Sequence, residues 1–432
     1  MMQHCMKNIT PDSLTGAIFA VEGIRDACVV LNGPTGCKLY HSAVSDGQYS
    51  RCLSFDPLEF AEEFYFGQPR IPATYLDGYD YVYGSGEKLI RVLKSISSKD
   101  YGLIAVINSP GAALIGDDLP QILKQTLLAA PCFAIENTGY SGSFAEGYQN
   151  ALDKIFEALP ANSTQTVKKS VNLLGFHIYQ KHFEYNLKTI KKMLALCGIR
   201  VITSPCAGDT AEKITHRAEA ELNVVIYPEY GERAAKQMQK QYGIPYIIPT
   251  QGAPIGFEAA ENFILEVCKK LNAESSRALE ELDKVRARAY LFLARYSSLL
   301  GLPKGALYSI CADSSTAYAL TKWLSTYLGM IPSAVVVTNG TEGIFAKKLR
   351  TFLKDIGYGE AMNNPIATSP AHIVFADGNT LAQMRLAGQR VGGVEVSLPS
   401  LGYMDVMPKT FFGGEGVLFL LEQILNGLRF LE

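Results

Sequence analysis

The chain has 432 residues, 48% of them apolar, with 40 basic against 42 acidic side chains and a formal charge of −2. That length exceeds one ordinary core, so two or three domains are expected, and the balanced charge argues against nucleic acid or an anionic membrane as a partner. Residues 1–7 lack the charged-then-apolar order of a signal peptide and no run of eighteen apolar residues follows, so no membrane is expected and the cytoplasm is the expected compartment.

In chain order, residues 28–31 read as a buried strand, and the loop Gly33-Pro34-Thr35-Gly36-Cys37 follows directly. A thiol at a strand's carboxyl end stands where open α/β sheets place their chemistry, which makes Cys37 the first candidate metal ligand. The loop is not a phosphate loop: Gly33 and Gly36 are three apart and Cys37 separates Gly36 from Lys38. No nucleotide is therefore expected on this chain. Residues 48–83 read as irregular, followed by strands over 103–108 and 132–136 and a helix capped by 116–118. The middle of the chain alternates more regularly. Strands are expected over 171–175, 199–203, 223–227 and 245–248, with helices over 182–196, 209–222, 232–242 and 258–271. A long helix over 274–300 leads to strands over 307–312, 334–338 and 372–376 and a last helix over 415–425. Strand-then-helix repetition gives an α/β chain of three Rossmann-like, doubly wound parallel-sheet domains, at residues 1–165, 166–272 and 273–432.

Nine cysteines, an odd number, read as free thiols rather than a disulfide framework. Cys28 and Cys132 stand near the amino ends of their strands, and Cys197 and Cys268 stand in helical stretches, so all four read as packing residues. Cys311 lies inside a strand near its carboxyl end, and core is the simpler reading. Cys206 follows the strand over 199–203 and is a candidate for an interdomain cleft, with Tyr227 another at a strand's end; a small loop residue beside an Asp209 cap is the plainer account of Cys206. Cys5 and Cys52 lie in irregular chain, where packing gives them little reason to exist. His177 and His182 are five apart and build no metal site by spacing. Amides near Gly340 and Gly343, between a strand and a helix, could hold an anion, and residues 413–416 open a helix similarly; close packing needs the same glycines.

Cys5 with Leu14-Thr15-Gly16-Ala17-Ile18-Phe19-Ala20, the loop ending at Cys37, Tyr83-Gly84-Ser85-Gly86-Glu87-Lys88-Leu89 and Leu114-Ile115-Gly116-Asp117-Asp118 occur in that order. Glu136-Asn137-Thr138-Gly139-Tyr140-Ser141-Gly142-Ser143, Val171-Asn172-Leu173-Leu174-Gly175, Leu222-Asn223-Val224-Val225 and Tyr242-Gly243-Ile244-Pro245 continue it. The series resembles component 1 of nitrogenase and its relatives, among them the dark protochlorophyllide reductase, the nickel-tetrapyrrole reductive cyclase and cofactor-assembly scaffolds. The resemblance implies cluster cysteines at Cys5 and Cys37. The family's third cluster cysteine is replaced in the stretch Ser109-Pro110-Gly111, which argues against a large bridged cluster. A cubane needs four ligands, so two thiolates per subunit imply one [4Fe–4S] cluster shared across a two-fold interface, with Cys52 in reserve. The implied partners are a second component 1-like subunit, identical or homologous, and an ATP-dependent iron protein. The family's cofactor-anchoring cysteine is replaced in Ile226-Tyr227-Pro228, and the last histidine is His372. The implied function is a nitrogenase-like reductase acting on a substrate other than dinitrogen, or else an assembly scaffold.

Overall fold

The structure is a computed structural model, and it describes residues 11–37, 40–41, 71–136, 138, 142–301, 303–399 and 405–429. Cys5 and Cys52 lie outside the described residues.

Among the described residues, three parallel sheets carry the fold. The first has the order β1-β2-β3, from Ala27–Asn32, Leu103–Asn108 and Cys132–Ile135. The second runs β5-β4-β6-β7, from Val167–Leu174 (β4), Arg200–Val201 (β5), Ala220–Val225 (β6) and Tyr246–Ile247 (β7). The third runs β11-β10-β8-β9, from Leu307–Ala312 (β8), Ile331–Val337 (β9), Ile373–Asp377 (β10) and Gly392–Ser397 (β11). Helices of eight or more residues are numbered α1 (Ser13–Glu22), α2 (Gly86–Ile96), α3 (Leu119–Thr126), α4 (Phe144–Ala158), α5 (Phe183–Leu196), α6 (Pro228–Tyr242), α7 (Phe257–Leu271), α8 (Ser276–Leu300), α9 (Ser314–Thr326), α10 (Ile344–Asp355), α11 (Gly378–Leu386) and α12 (Gly413–Leu428).

Strand alternation decides where the helices go. In β1, Cys28 and Val30 face Leu89 and Leu93 of α2 and Leu119 and Leu123 of α3, whereas Val29 and Leu31 join the main core with Ile18 and Phe144. In β10, Val374 and Ala376 meet Leu381 and Met384 of α11, while Ile373 and Phe375 face the main core. A strand apolar on both faces needs cover on both, and helices on either side of a parallel sheet supply it. Caps fix the helix starts: Asp118 accepts from the Gln121 amide, and Ser143 and Glu146 form a reciprocal capping box on α4.

Two expectations fail. The helix expected over 209–222 is instead a short helix at Ala211–Thr215, a 3-10 turn at Arg217–Glu219 and then β6, whose Ala220 and Leu222 pair with Val167 and Val171 of β4. Ladder pairing outweighs helical pattern there. The second is β11, to which the sequence reading assigns no strand. Its Glu395 is buried against the Lys181 ammonium, so an acidic residue that suggests a solvated stretch lies inside the protein. The expected strand over 199–203 pairs as a ladder only at Arg200–Val201, although hydrogen bonds to Val171 and Leu173 continue through Thr203.

Candidate functional site

Polar residues at the end of β1 draw together three segments far apart in sequence. Asn32 and Asn108 face each other in the ladder, and the Asn32 amide nitrogen donates to Asn108 Oδ1 (2.9 Å) and to Ser85 Oγ (3.0 Å). The Thr74 hydroxyl donates to Asn32 Oδ1 (2.8 Å) and accepts from the Gly33 amide (3.0 Å). The Ser85 hydroxyl and amide both donate to Asp117 Oδ2. The stretches around Gly33, Ser85 and Asp117 thus share one buried network, whose members satisfy one another and set the course of the loop carrying Cys37. Gly33 is required at its position, since a Cβ there would lie 2.8 Å from the Ser109 side chain.

Thr35, Gly36 and Cys37 start a helical turn, and the Cys37 side chain is partly exposed. Burial, with Asp12 adding to it, pushes its thiol up, so the free chain carries a protonated sulfur that a metal would deprotonate on binding. His41 steadies the same loop by donating from Nδ1 to the Cys37 carbonyl (2.6 Å). Tyr81 lies near Cys37, on a short stretch whose neighbouring side chains are exposed. Tyr79, Val82 and Tyr83 are each about 70% exposed. The Tyr81 phenol is pushed up by burial and by the neighbouring Cys37. Among the described residues no three His, Cys, Asp or Glu side chains are grouped to hold a metal. Cys37 therefore fits an iron-sulfur cluster only as one donor of a set completed elsewhere.

The second site is a cleft of about 480 Å³ among the three sheets. The carboxyl ends of β8, β9 and β10 bring Cys311, Asp313, Thr338, Asn339 and Asp377 to it, the ends of β4 and β6 bring His177 and Tyr227, and the starts of α1 and α4 bring Asp12 and Ser143. Such ends are where parallel sheets leave room for a ligand. One wall is aromatic: Phe144 packs 5.1 Å from both Tyr179 and His177, and His177 meets Tyr230 edge-on at 4.3 Å. The His177 imidazole is fully buried, neither ring nitrogen has a partner among the described residues, and burial pulls it down to about 3. It is neutral at any ordinary pH. Lys181, also in the lining, is paired with Glu395 and Asp405, so its charge is already compensated.

Asp313 sits at the mouth of this wall and accepts from Tyr230 Oη (2.6 Å), Thr338 Oγ1 (2.7 Å) and Asn339 Nδ2 (2.8 Å). Behind it is Glu229. Glu229 Oε1 accepts from the Ser314 hydroxyl and the Ser315 amide, both at 2.6 Å, while Oε2 is buried without a partner among the described residues. Burial, with the Asp313 carboxylate adding to it, pushes Glu229 up to about 7. An unfolded glutamate titrates near 4.3, so between those values the native state holds the extra proton. This contribution to stability is complete below about pH 4.3 and is lost as pH rises through 7, an effect on the order of 3–4 kcal/mol. Glu229→Gln, which keeps the shape without the titration, is expected to gain on the wild type by that amount between pH 4.5 and 8. Urea midpoints at the two pH values measure it, and parallel changes in both proteins would refute it.

Of the residues singled out from sequence, Tyr227 lines the cleft and Cys37 stands at the first site. Cys206 does neither: it is fully buried with φ +62°, and its carbonyl lies against Gly23, where any Cβ would come within 1.9 Å. Its thiol is pushed up to about 12 by burial. It joins the first sheet's layer to the second, an outcome of the loop folding back rather than opening to the cleft. Gly343 gives its amide to the Gly340 carbonyl, and the space above Gly340 (φ +72°) is filled by Glu229, 2.4 Å from where a Cβ would stand. The loop makes room for the chain's own carboxyl, which is held at the start of α9 instead. Gly413 to Gly416 serve packing, with Gly416 set against the Phe411 backbone. Cys311 lines the cleft, where the sequence favours the core. Sequence reasoning does not mark His177, Tyr230 or Asp313 as cleft residues, nor Glu229 behind them. The strand-end rule that selects Tyr227 selects Asp313 equally well.

A profile of the family described as Nitrogenase component 1 type Oxidoreductase matches residues 13–429. The chain is 25% identical over 315 residues to a subunit of the light-independent protochlorophyllide reductase of Chlorobium phaeovibrioides, covering 68% of this chain and 56% of that protein. It is 25% identical over 334 residues to the nitrogenase iron-molybdenum cofactor biosynthesis protein NifE of Methanosarcina barkeri (67% and 65%). It is 27% identical over 348 residues to the nitrogenase molybdenum-iron protein alpha chain of Methanococcus maripaludis (76% and 69%). The chain thus spans 56% to 69% of these relatives' lengths. A solved structure of nitrogenase Cp1 at pH 6.5 superposes with a TM-score of 0.76 at 19% identity, covering 99% of this chain and 94% of that one. At that identity the likeness concerns the fold. No helix among the described residues is long and apolar enough to cross a membrane.

Proposed function

The chain belongs to the nitrogenase component 1 type oxidoreductase family, and from that premise we propose that it is the catalytic-component subunit of a cytoplasmic nitrogenase-like reductase. An ATP-dependent iron protein is its electron source, and the cleft holds a substrate other than dinitrogen. The observation that carries this reading is Cys37, partly exposed at the carboxyl edge of β1 near Tyr81, whose neighbours Tyr79, Val82 and Tyr83 are exposed. A second subunit placed there would cover the aromatic rings and present its own cysteines. Cys5 and Cys37 from two subunits would hold one [4Fe–4S] cluster, with Cys52 as the reserve ligand. Bound there, the cluster supplies single electrons at low potential. The Asn32 network keeps the Cys37 loop in place, and the aromatic wall of the cleft shields a bound substrate from water. Tyr227, in the stretch where the family places a cofactor-anchoring cysteine, supports an organic substrate lying against aromatic faces.

Similarity to NifE at equal identity favours a second reading, a scaffold that holds a cofactor precursor in the same cleft. Turnover with an iron protein and ATP separates the two. Anaerobically purified protein is expected to carry about four irons per two chains. Cys37→Ala is expected to lose nearly all of them while keeping the wild-type circular dichroism. Unchanged iron content and absorption in that variant would remove the shared cluster.

A further inference from the structure

We propose that the groove between α7 and α9 is a second binding site, separate from the cleft, for a small aromatic carboxylate whose acid group is held by the start of α7, the Trp323 indole N–H and the Lys322 ammonium. The site stands whether or not the chain is a reductase.

It lies at a seam. α7 packs on β6 of the second sheet and α9 on β8 and β9 of the third, and the cavity of about 190 Å³ between the two helices shares only Ile255 with the cleft among the described residues. A space of that size takes one ring and one acid group rather than a larger cofactor.

The polar groups turned to it are donors. Trp323 is 5% exposed, and its Nε1 has no partner among the described residues. A buried N–H left in that state is costly, so an acceptor placed against it is favoured. The N–H edge of the indole faces the start of α7: a Cβ on Gly256 (φ +91°) would stand 2.6 Å from Trp323 Cδ1, the atom bonded to Nε1. No side chain caps α7 at Gly256, and an α-helix leaves its first amides without internal partners at the end where its dipole favours negative charge. Lys322 donates to Gln251 Oε1 (2.6 Å) and Glu258 Oε1 (2.8 Å), which leaves one of the three ammonium protons for a ligand. Indole, amide and ammonium cannot accept, so their common partner is an acceptor oxygen, and a carboxylate matches both their number and their charge. Glu258 already sets one carboxylate oxygen on Lys322, from an exposed position at the rim.

The other half of the groove is aromatic. Phe257 meets Tyr327 edge-on at 5.8 Å, and Tyr327 stacks on Trp323 with 18° between the planes. Ala259 and Ala319 leave the space between these rings open. Arg286 covers Phe257 at 5.5 Å, and its charge is met by Glu261 and Asp283. Walls of this kind bury a flat ring well, which makes the body of the ligand aromatic.

The chain has one tryptophan, so its fluorescence reports on this groove alone. Benzoate is the probe, with benzyl alcohol supplying the ring without the acid and acetate the acid without the ring. Benzoate is expected to change the Trp323 emission saturably with a dissociation constant of about 1 mM or below, and each comparison compound to bind at least about tenfold more weakly. By calorimetry, Lys322→Gln and Trp323→Phe are each expected to weaken benzoate about tenfold, with the wild-type circular dichroism kept. Glu258→Gln removes a like charge from the rim and is expected to tighten benzoate about threefold, a gain that a misfolded variant cannot mimic. No saturable response up to about 10 mM benzoate, equal affinity for either comparison compound, or wild-type affinity in all three variants would each overturn the site.

Discussion

Gly16→Ala is expected to destabilise the protein by about 3 kcal/mol or more, although alanine is the better helix former. Gly16 lies in α1, where all ten residues are buried, and a Cβ there would stand 2.0 Å from the Phe144 carbonyl oxygen and 2.8 Å from the Tyr148 amide of α4. The contact is reciprocal: a Cβ on Gly147 of α4 would stand 1.9 Å from the Ser13 carbonyl. Helix propensity favours alanine by about 1 kcal/mol at either site. Backbone atoms cannot swing aside as a side-chain tip can, so the helices would have to part by about 1 Å or more, and that cost outweighs the gain. Parting would also disturb the cleft, since Asp12 and Ser143, which cap the two helices, line it and are bridged to each other. Gly86→Ala is the matched control. Its nearest foreign atom, on Ile122, would be at 3.5 Å, an ordinary contact. Urea midpoints should therefore fall steeply for Gly16→Ala and Gly147→Ala and barely move for Gly86→Ala. Equal midpoints for all three would show that the two helices are not held together through their glycines.

The reasons why some elements are legible in sequence and others are not are physical. Strands such as Leu103–Asn108 are buried on both faces and read as unbroken apolar runs, and Asp118 marks a helix start because its side chain bonds a first free amide. β11 escapes because its glycines and Glu395 signal a polar turn, whereas a lysine 214 positions away pairs with that acid inside. At the cleft, Tyr227 follows from its place at a strand's end. Glu229 does not, because nothing local shows that the first turn of α6 is covered by α9 and by the Gly340 loop. Cys206 is left open between two accounts for a related reason: a cysteine after a strand can open to a cleft or fold back on a neighbour, and here it rests on Gly23 of the first unit. Nor does His177 stand out. A search by ligand spacing has no use for a lone histidine, whereas the structure surrounds it with Phe144, Tyr148 and Tyr230.

Arg217→Met is expected to cost about 3–5 kcal/mol, and Arg217→Lys a smaller part of it. Arg217 is 2% exposed, and its guanidinium bonds are to neutral groups. It donates to three backbone carbonyls, those of Leu159 (2.7 Å), Phe156 (3.1 Å) and Ile214 (3.2 Å), and to Tyr242 Oη (3.4 Å), with the Phe156 ring 4.4 Å away. Phe156 and Leu159 lie at the carboxyl end of α4, and Ile214 lies near the end of the short helix before Arg217. Helix ends of that polarity carry partial negative charge and unpaired carbonyls, so two of them together stand in for a counter-ion. The Arg217 carbonyl also accepts from Asn172, which donates to Asn223 across β4 and β6, so the turn is tied to the second sheet from both sides. Replacing a buried ion pair with apolar residues is often neutral, because both charges leave together. Here that compensation is missing: methionine removes the donors and leaves the carbonyls inside, each costing roughly 1–3 kcal/mol if unpaired. Lysine brings one compact ammonium, which cannot reach acceptors on opposite sides of the guanidinium fork. The order wild type, lysine, methionine in urea midpoint is the expected result. A methionine variant within about 1 kcal/mol of the wild type would mean that the cost of burying the charge already cancels its bonds, and that the end of α4 is held to the turn before β6 by apolar contacts alone.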